Sequence, residues 1–255
     1  MRILVVENYP NATLGLVGTA LADAGAECRV LRTYQGDRLP GAADGFDALI
    51  LLGGAQDALD DANHPYLRDE VALVGAFAAA DCAVLGICLG AQIVARAFGA
   101  ENILDRPIEF GWHEVRTTVA GRADPVLSVL GESAPLFHWH VDTFTLPPGA
   151  AHLAASDQTS VQAFRIGRAV YGIQFHFETG AEMVARWNEV YAREIRNFDP
   201  GWFNRHPAEA ERHGAAADAA GLALARAWIG LVRTSPNPDA PATTTRRETA
   251  REPSQ

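Results

Sequence analysis

Apolar residues come in short unbroken runs through the first third of the chain: Ile3-Leu4-Val5-Val6, Ala48-Leu49-Ile50-Leu51-Leu52 and Ala83-Val84-Leu85. A strand with one wet face alternates apolar and polar side chains, so continuous runs of this length predict strands buried on both faces. The pattern places strands at about 2 to 7, 27 to 33, 47 to 53 and 82 to 87, and helices at about 11 to 25, 64 to 80 and 90 to 99. Strand, helix, strand at this spacing means parallel pairing through right-handed crossovers. The second and third runs belong at the centre of that sheet. Asp60-Asp61-Ala62-Asn63-His64-Pro65 supplies caps and a first-turn proline for the helix that follows.

Beyond Ile108 the rhythm changes to short extended runs, at 108 to 115, 136 to 140, 161 to 165 and 169 to 175, punctuated by Pro147-Pro148-Gly149 and Gly167. These predict antiparallel strands at one edge of the sheet. Helices follow at about 181 to 194 and, rich in alanine, at about 207 to 231. After Arg233 the chain lacks apolar residues for a core, so 1–234 is expected to form one domain and 235–255 a disordered tail. The predicted class is α/β: a flavodoxin-like or Rossmann-like, mainly parallel central sheet with flanking helices and an antiparallel edge extension.

Candidate chemistry begins where the apolar strand Val84-Leu85 runs into Gly86-Ile87-Cys88-Leu89-Gly90 and then into a helix. A cysteine bracketed by glycines between strand and helix has the layout of a nucleophile elbow, with the thiol at a helix N-terminus whose dipole favours thiolate. The elbow also aims the N–H of Leu89 at an oxyanion. A thiol nucleophile needs a base. Far downstream a strand ends in His176-Phe177-Glu178, and residues two apart on a strand share a face. Glu178 can therefore fix the tautomer of His176, leaving its other nitrogen to exchange a proton with Cys88. The plainer alternatives, a buried structural cysteine and a surface His and Glu, lose ground when both motifs occur in one chain.

Over roughly residues 1 to 195 the sequence resembles the class I (triad) glutamine amidotransferases, and in particular stand-alone proteins similar to the amidotransferase domain of GMP synthase. Gly86-Ile87-Cys88-Leu89-Gly90 resembles the nucleophile motif, His176-Phe177-Glu178 the histidine and glutamate motif, and Leu51-Leu52-Gly53-Gly54 the end of the oxyanion strand. The resemblance implies that Cys88 attacks the side-chain amide of glutamine. The oxyanion is then held by the backbone N–H groups of Gly54 and Leu89. His176 protonates the departing ammonia, and water hydrolyses a γ-glutamyl thioester. It further implies that Gln92 meets the amino or carboxylate end of the substrate and that Trp139 and His140 form pocket wall. His138, His140 and nearby Asp142 have spacing that suits a metal, but the resemblance favours pocket wall, with Asp142 a turn or structural hydrogen-bond residue, and no metal is expected. Two departures mark a divergent subgroup: Phe177 stands where proline is common, and Ala55 follows the glycines where proline often does.

Composition narrows the partners. The formal charge of −10 offers no basic stripe for nucleic acid or an acidic membrane surface. Lysine is absent, which excludes a Schiff-base lysine, a pyridoxal site and a conventional phosphate-binding loop; no cofactor is expected. Three cysteines without ligand spacing, no run of roughly 20 apolar residues and no signal-peptide pattern fit a reducing cytoplasm. Three functional readings follow: an amidotransferase subunit that passes ammonia to a separate synthetase, a free-standing hydrolase of γ-glutamyl amides or peptides, and a binding or regulatory module with an idle triad. A cysteine version of the α/β-hydrolase fold fits less well, because there the acid precedes the histidine by a long interval.

Overall fold

The computed structural model describes residues 1–234; the tail expected at 235–255 lies outside the described residues. The continuous apolar runs become β1 (Arg2–Glu7), β3 (Ala48–Leu51) and β4 (Ala83–Ile87), with β2 (Glu27–Arg32) beside β1 at the edge. β1 pairs in parallel with β2 and β3, and β3 with β4. Alternate side chains of each strand enter different cores: Ile3, Val5, Ile50 and Leu85 on one face, and Leu4, Val6, Leu49 and Val84 on the other. Double burial is why these strands read as unbroken apolar runs. Helices α1 (Gly15–Asp23) and, late in the chain, α7 (Trp202–Ile229) cover the first face; α2 (Tyr66–Ala79) and α3 (Leu89–Ala97) cover the second.

The edge extension is also present. β5 (Asn102–Ile103) and β8 (Thr143–Phe144) form a separate two-stranded pair. β6 (Glu109–Thr117), β7 (Ser133–His140), β9 (Ala151–Ala155), β10 (Ala163–Ile166) and β11 (Val170–Ile173) join the main sheet, with the short helix α4 (Val119–Arg122) between β6 and β7. Among the described residues the sheet runs β2-β1-β3-β4-β11-β10-β9-β6-β7. β11 lies parallel to β4, with Ile173 opposite Ile87, and from β11 outward every pairing is antiparallel.

Three expected helices have different bounds. The first begins at Gly15 rather than near residue 11, because Asn11 has φ +66° and is held in a loop by Trp187 Nε1, which donates to its carbonyl at 3.0 Å. The helix expected through 181 to 194 is two, α5 (Ala181–Val190) and α6 (Ala192–Phe198). The break falls at Tyr191, whose hydroxyl donates to the Pro10 carbonyl at 3.0 Å and whose ring packs edge-on against Trp139. The last helix starts at Trp202, five residues before Pro207, since the fully buried Trp202 ring packs with Phe110, Trp112 and Phe137 and anchors an extra turn.

Candidate functional site

A single residue, Cys88, separates β4 from α3, and it adopts φ +54°, ψ −111°. A non-glycine residue in that region is strained and is held there by its surroundings. Its N–H donates to Ile173 of β11 at 2.9 Å, and its carbonyl accepts from Ala91 and Gln92 in the first turn of α3. The bracketing glycines let backbones touch. A Cβ on Gly86 would overlap Gly90, and one on Gly90 would overlap the carbonyl of Leu51 in β3. The Cys88 thiol, 6% exposed, stands at the positive end of α3 with its sulfur 3.9 Å from the Trp139 carbonyl.

β11 carries the chain past this elbow to His176, whose N–H donates to Phe137 of β7 at 2.8 Å. The ring Nδ1 is 2.6 Å from Glu178 Oε1, an oxygen that also accepts from Thr179 Oγ1 at 3.3 Å, while Leu16 N donates to the Glu178 carbonyl. With Nδ1 bonded to a carboxylate, Nε2 is the nitrogen left for chemistry. A Cβ on Gly53 would lie 3.3 Å from His176 Cε1 and 3.6 Å from Cys88 Cβ, so the imidazole and the cysteine converge where Gly53 lacks a side chain. Burial lowers the basicity of His176, but Glu178 first and then Cys88 outweigh it and hold the imidazole well above its usual value.

The loop after β3 faces the start of α3: a Cβ on Gly54 would lie 2.6 Å from Leu89 Cδ2. Asn8 ties this loop from behind. Its Nδ2 donates to the Leu52 carbonyl at 3.3 Å and to Glu70 Oε2 at 3.2 Å, its Oδ1 accepts from Thr33 Oγ1, and its carbonyl accepts from Gln56 Nε2. Glu70 is fully buried, and burial pushes its carboxyl up to about 8, with the hydrogen bonds of Asn8 and Thr33 drawing it down only in part. A carboxyl that folding keeps protonated stabilises the native state fully below its ordinary value of 4.5, and that stabilisation is lost as pH rises through about 8. A tenfold change in proton affinity corresponds to about 1.4 kcal/mol, so the loss amounts to several kcal/mol. Glu70→Gln is expected to flatten the decline of stability between pH 5 and 8, read from urea midpoints; an unchanged slope would mean that another group titrates.

Above Cys88 opens a cavity of about 410 Å³ lined by Cys88, His176, Gly53, Gly54, Gln92, Trp139 and His140, together with Asp142. The predicted catalytic and substrate residues are thus gathered at one site, with Leu89 buried directly after Cys88. Gln92 Nε2 donates to the Asp142 carbonyl at 3.2 Å and to Gln174 Oε1 at 3.3 Å. Asp142 lies in the connection between β7 and β8 as a structural hydrogen-bond residue rather than in a turn, its Oδ1 accepting from Asp105 N. The pairing of His138 and His140 with Asp142 as a metal-like trio is not what forms. Their acidic neighbour is Glu109, brought opposite His140 by the β6–β7 register, and one ligand atom from each of Glu109, His138 and His140 lies within 4.8 Å of the others. Glu109 Oε2 already accepts from Thr159 Oγ1 at 2.8 Å and Gln162 Nε2 at 2.9 Å and lies 3.1 Å from His140 Nε2, while burial pushes His138 well below the usual imidazole value. Glu109 and its donors buttress the cavity wall at His140.

Sequence reasoning missed the far wall, formed by Tyr9, Trp187, Tyr191 and Phe198. Trp187 and Tyr191, four apart, would share a helical face, but nothing local points that face at a strand end. Among the described residues no helix is long and apolar enough to cross a membrane.

The family model for Glutamine amidotransferase class-I matches residues 4–183. A putative glutamine amidotransferase-like protein YfeJ of Salmonella typhimurium is 33% identical over 212 residues, covering 82% of this chain and 89% of that protein. A glutamine-hydrolyzing GMP synthase subunit of Methanosarcina barkeri is 31% identical over 199 residues, covering 74% of this chain and 96% of that protein. A glutamine amidotransferase crystal structure from Thermotoga maritima superposes with a TM-score of 0.78 at 25% identity, covering 92% of this chain and 99% of that one.

Proposed function

Because the chain belongs to the class I glutamine amidotransferase family, we propose that it hydrolyses the side-chain amide of glutamine through a γ-glutamyl thioester on Cys88. The observation that carries this is the 2.6 Å His176–Glu178 pair converging on a strained, helix-capping cysteine over an open cavity. Cys88 Sγ attacks the amide carbon, and the oxyanion is held by the N–H groups of Gly54 and Leu89, preorganised by the loop and by the start of α3. His176 delivers its Nε2 proton to the amide nitrogen, the C–N bond breaks and ammonia leaves. Water, deprotonated by the same nitrogen, attacks the thioester; glutamate departs and the proton returns to the thiol–imidazole pair. Both Nε2 hydrogens of Gln92 are engaged by Asp142 and Gln174. Gln92 therefore offers the substrate its oxygen, a partner for the α-ammonium group.

Several relatives are, by name, subunits of glutamine-hydrolyzing GMP synthases. That supports a separate synthetase partner as the acceptor of ammonia. The test is glutamate release from glutamine by the purified protein, alone and with candidate synthetases. Glutamate release absent in every condition would count against the reading. Glu178→Gln keeps shape but gives up the charge that holds the imidazolium, so kcat is expected to fall by a factor on the order of 10² to 10⁴. Steady-state kinetics check this, and wild-type kcat in the variant would show that Glu178 does not orient the base.

A further inference from the structure

The far wall of the cavity is more than glutamine needs. His176 is the proton donor to the leaving nitrogen, so whatever that nitrogen carries must lie beside the His176 ring. Trp187 occupies that place, its ring edge-on to His176 with centroids 5.3 Å apart. From Trp187 the aromatic surface continues without a gap: Trp139 at 5.4 Å, Tyr191 at 5.5 Å and Phe198 at 6.1 Å from Trp139, and Tyr9 at 6.4 Å from Tyr191. Trp139, Tyr191, Phe198 and Tyr9 are each only partly buried. The wall is fixed in place, since Trp187 Nε1 and the Tyr191 hydroxyl both donate to carbonyls of the loop at Pro10 and Asn11. Ammonia has no substituent and would leave all of this surface wet. A cavity of about 410 Å³ falls within the range of roughly 300–1,000 Å³ that encloses larger organic ligands.

Charge restricts the substituent further. Among the described residues lining the cavity the carboxylates are Asp142 and Glu194, none is arginine, and the chain has no lysine. A leaving amine that is itself an amino acid would bring a second carboxylate into a lining that holds Glu194 and no guanidinium of its own, Arg186 being engaged by Asn11 Oδ1 at 3.2 Å and not among the lining residues.

We propose that the site accepts γ-glutamyl amides whose leaving amine carries a flat aromatic group and no carboxylate. This rests on the Cys88 thioester reading above. The S–C bond forms first, the amide C–N bond then breaks as the amine leaves with the His176 proton, and water releases glutamate from Cys88. The aryl group stacks on the surface that runs from Trp187 to Tyr191 and Phe198.

The test is kcat/KM for glutamate release by the full chain from glutamine, γ-glutamylmethylamide, γ-glutamylphenethylamide and γ-glutamylphenylalanine, with Cys88→Ala as background. The last two differ only in the carboxylate. The phenethylamide is expected to exceed both the methylamide and γ-glutamylphenylalanine at least about tenfold. Tyr191→Ala should reduce the phenethylamide-to-methylamide ratio several-fold. Tyr191→Phe, which keeps the ring and gives up the hydroxyl bonds, should preserve it, and Phe198→Ala should reduce it if Tyr191→Ala does not fold. Turnover of glutamine or methylamide with a ratio near one would overturn the inference and leave the thioester reading intact. Equal turnover of γ-glutamylphenylalanine would overturn the exclusion of carboxylates. Absence of Cys88-dependent turnover on all four substrates would overturn both readings together.

Discussion

Cys88→Ala is expected to reduce glutamate release by a factor on the order of 10⁴ to 10⁶ while leaving the melting temperature nearly unchanged. The size of the loss follows from the chemistry. In the proposed mechanism, removing the sulfur removes the thioester, and what remains is the proposed oxyanion donors and substrate binding acting on water. No other thiol can substitute, because Cys28 lies on the edge strand β2, Cys82 precedes β4 at the opposite end of that strand, and neither lines the cavity. The fold should tolerate the change. The strained backbone at Cys88 is imposed by the Ile173 carbonyl, the glycines and the first turn of α3, none of which involves the sulfur. Alanine meets the same backbone restriction as cysteine there, and only one nearly buried atom is removed. Retained turnover in folded protein would remove Cys88 from the mechanism.

The second large effect is on stability. Gly90→Ala adds one methyl group in the first turn of α3, a substitution that ordinarily favours a helix by about 1 kcal/mol. Here the new Cβ would overlap the carbonyl oxygen of Leu51, 2.7 Å from the carbonyl carbon and 2.9 Å from the Leu51 Cβ. Backbone stands on both sides of the clash, helix on one and central strand on the other, so no side chain can turn away to relieve it. Overpacking of a core costs about 1–3 kcal/mol, and a clash between backbones belongs at or above the top of that range. Against a total stability of about 5–15 kcal/mol this is a large fraction. Gly75→Ala is the control. Gly75 lies inside α2 with nothing within 4 Å of its added Cβ, and it should gain several tenths of a kcal/mol from the helix preference alone. Chemical denaturation of the pair should give shifts of opposite sign. A Gly90→Ala protein as stable as wild type would mean that α3 can lift off β3 freely.

How far the site was legible in the sequence depended on how local its parts are. The strand–Cys88–helix elbow lies within five consecutive residues and the His176–Glu178 pair within three, so spacing alone was enough to bring these side chains forward as candidates. The parallel centre was legible because double burial leaves continuous apolar runs. The rest depends on which strands lie side by side. Glu109 meets His140 only through the β6–β7 register, and no spacing along the chain distinguishes it from the nearer Asp142. Asn8 and Glu70 support the loop at Gly53 and Gly54 from two other elements, and an asparagine at a strand end or a glutamate on a helix has no sequence pattern that marks it as buried. Trp187 and Tyr191 were readable as one helical face, but the partner of that face was not. The break at Tyr191 is a tertiary effect, set by a hydroxyl reaching the carbonyl of Pro10 and a ring turned toward Trp139.

The parallel pairing of β4 with β11 has a kinetic side. Cys88 and His176 meet because two strands from distant parts of the chain lie in one register, and the intervening β5–β10 segment must be looped out for that pairing to close. Loop closure is unfavourable before long-range contacts compensate for it, so this pairing belongs among the slow events of folding. The strands joined by short turns can form earlier without assembling any active centre. Cys88 and His176 therefore share one cavity only in chains whose sheet has already closed around them, and in partly folded chains the proposed thiol–imidazole pair is unassembled.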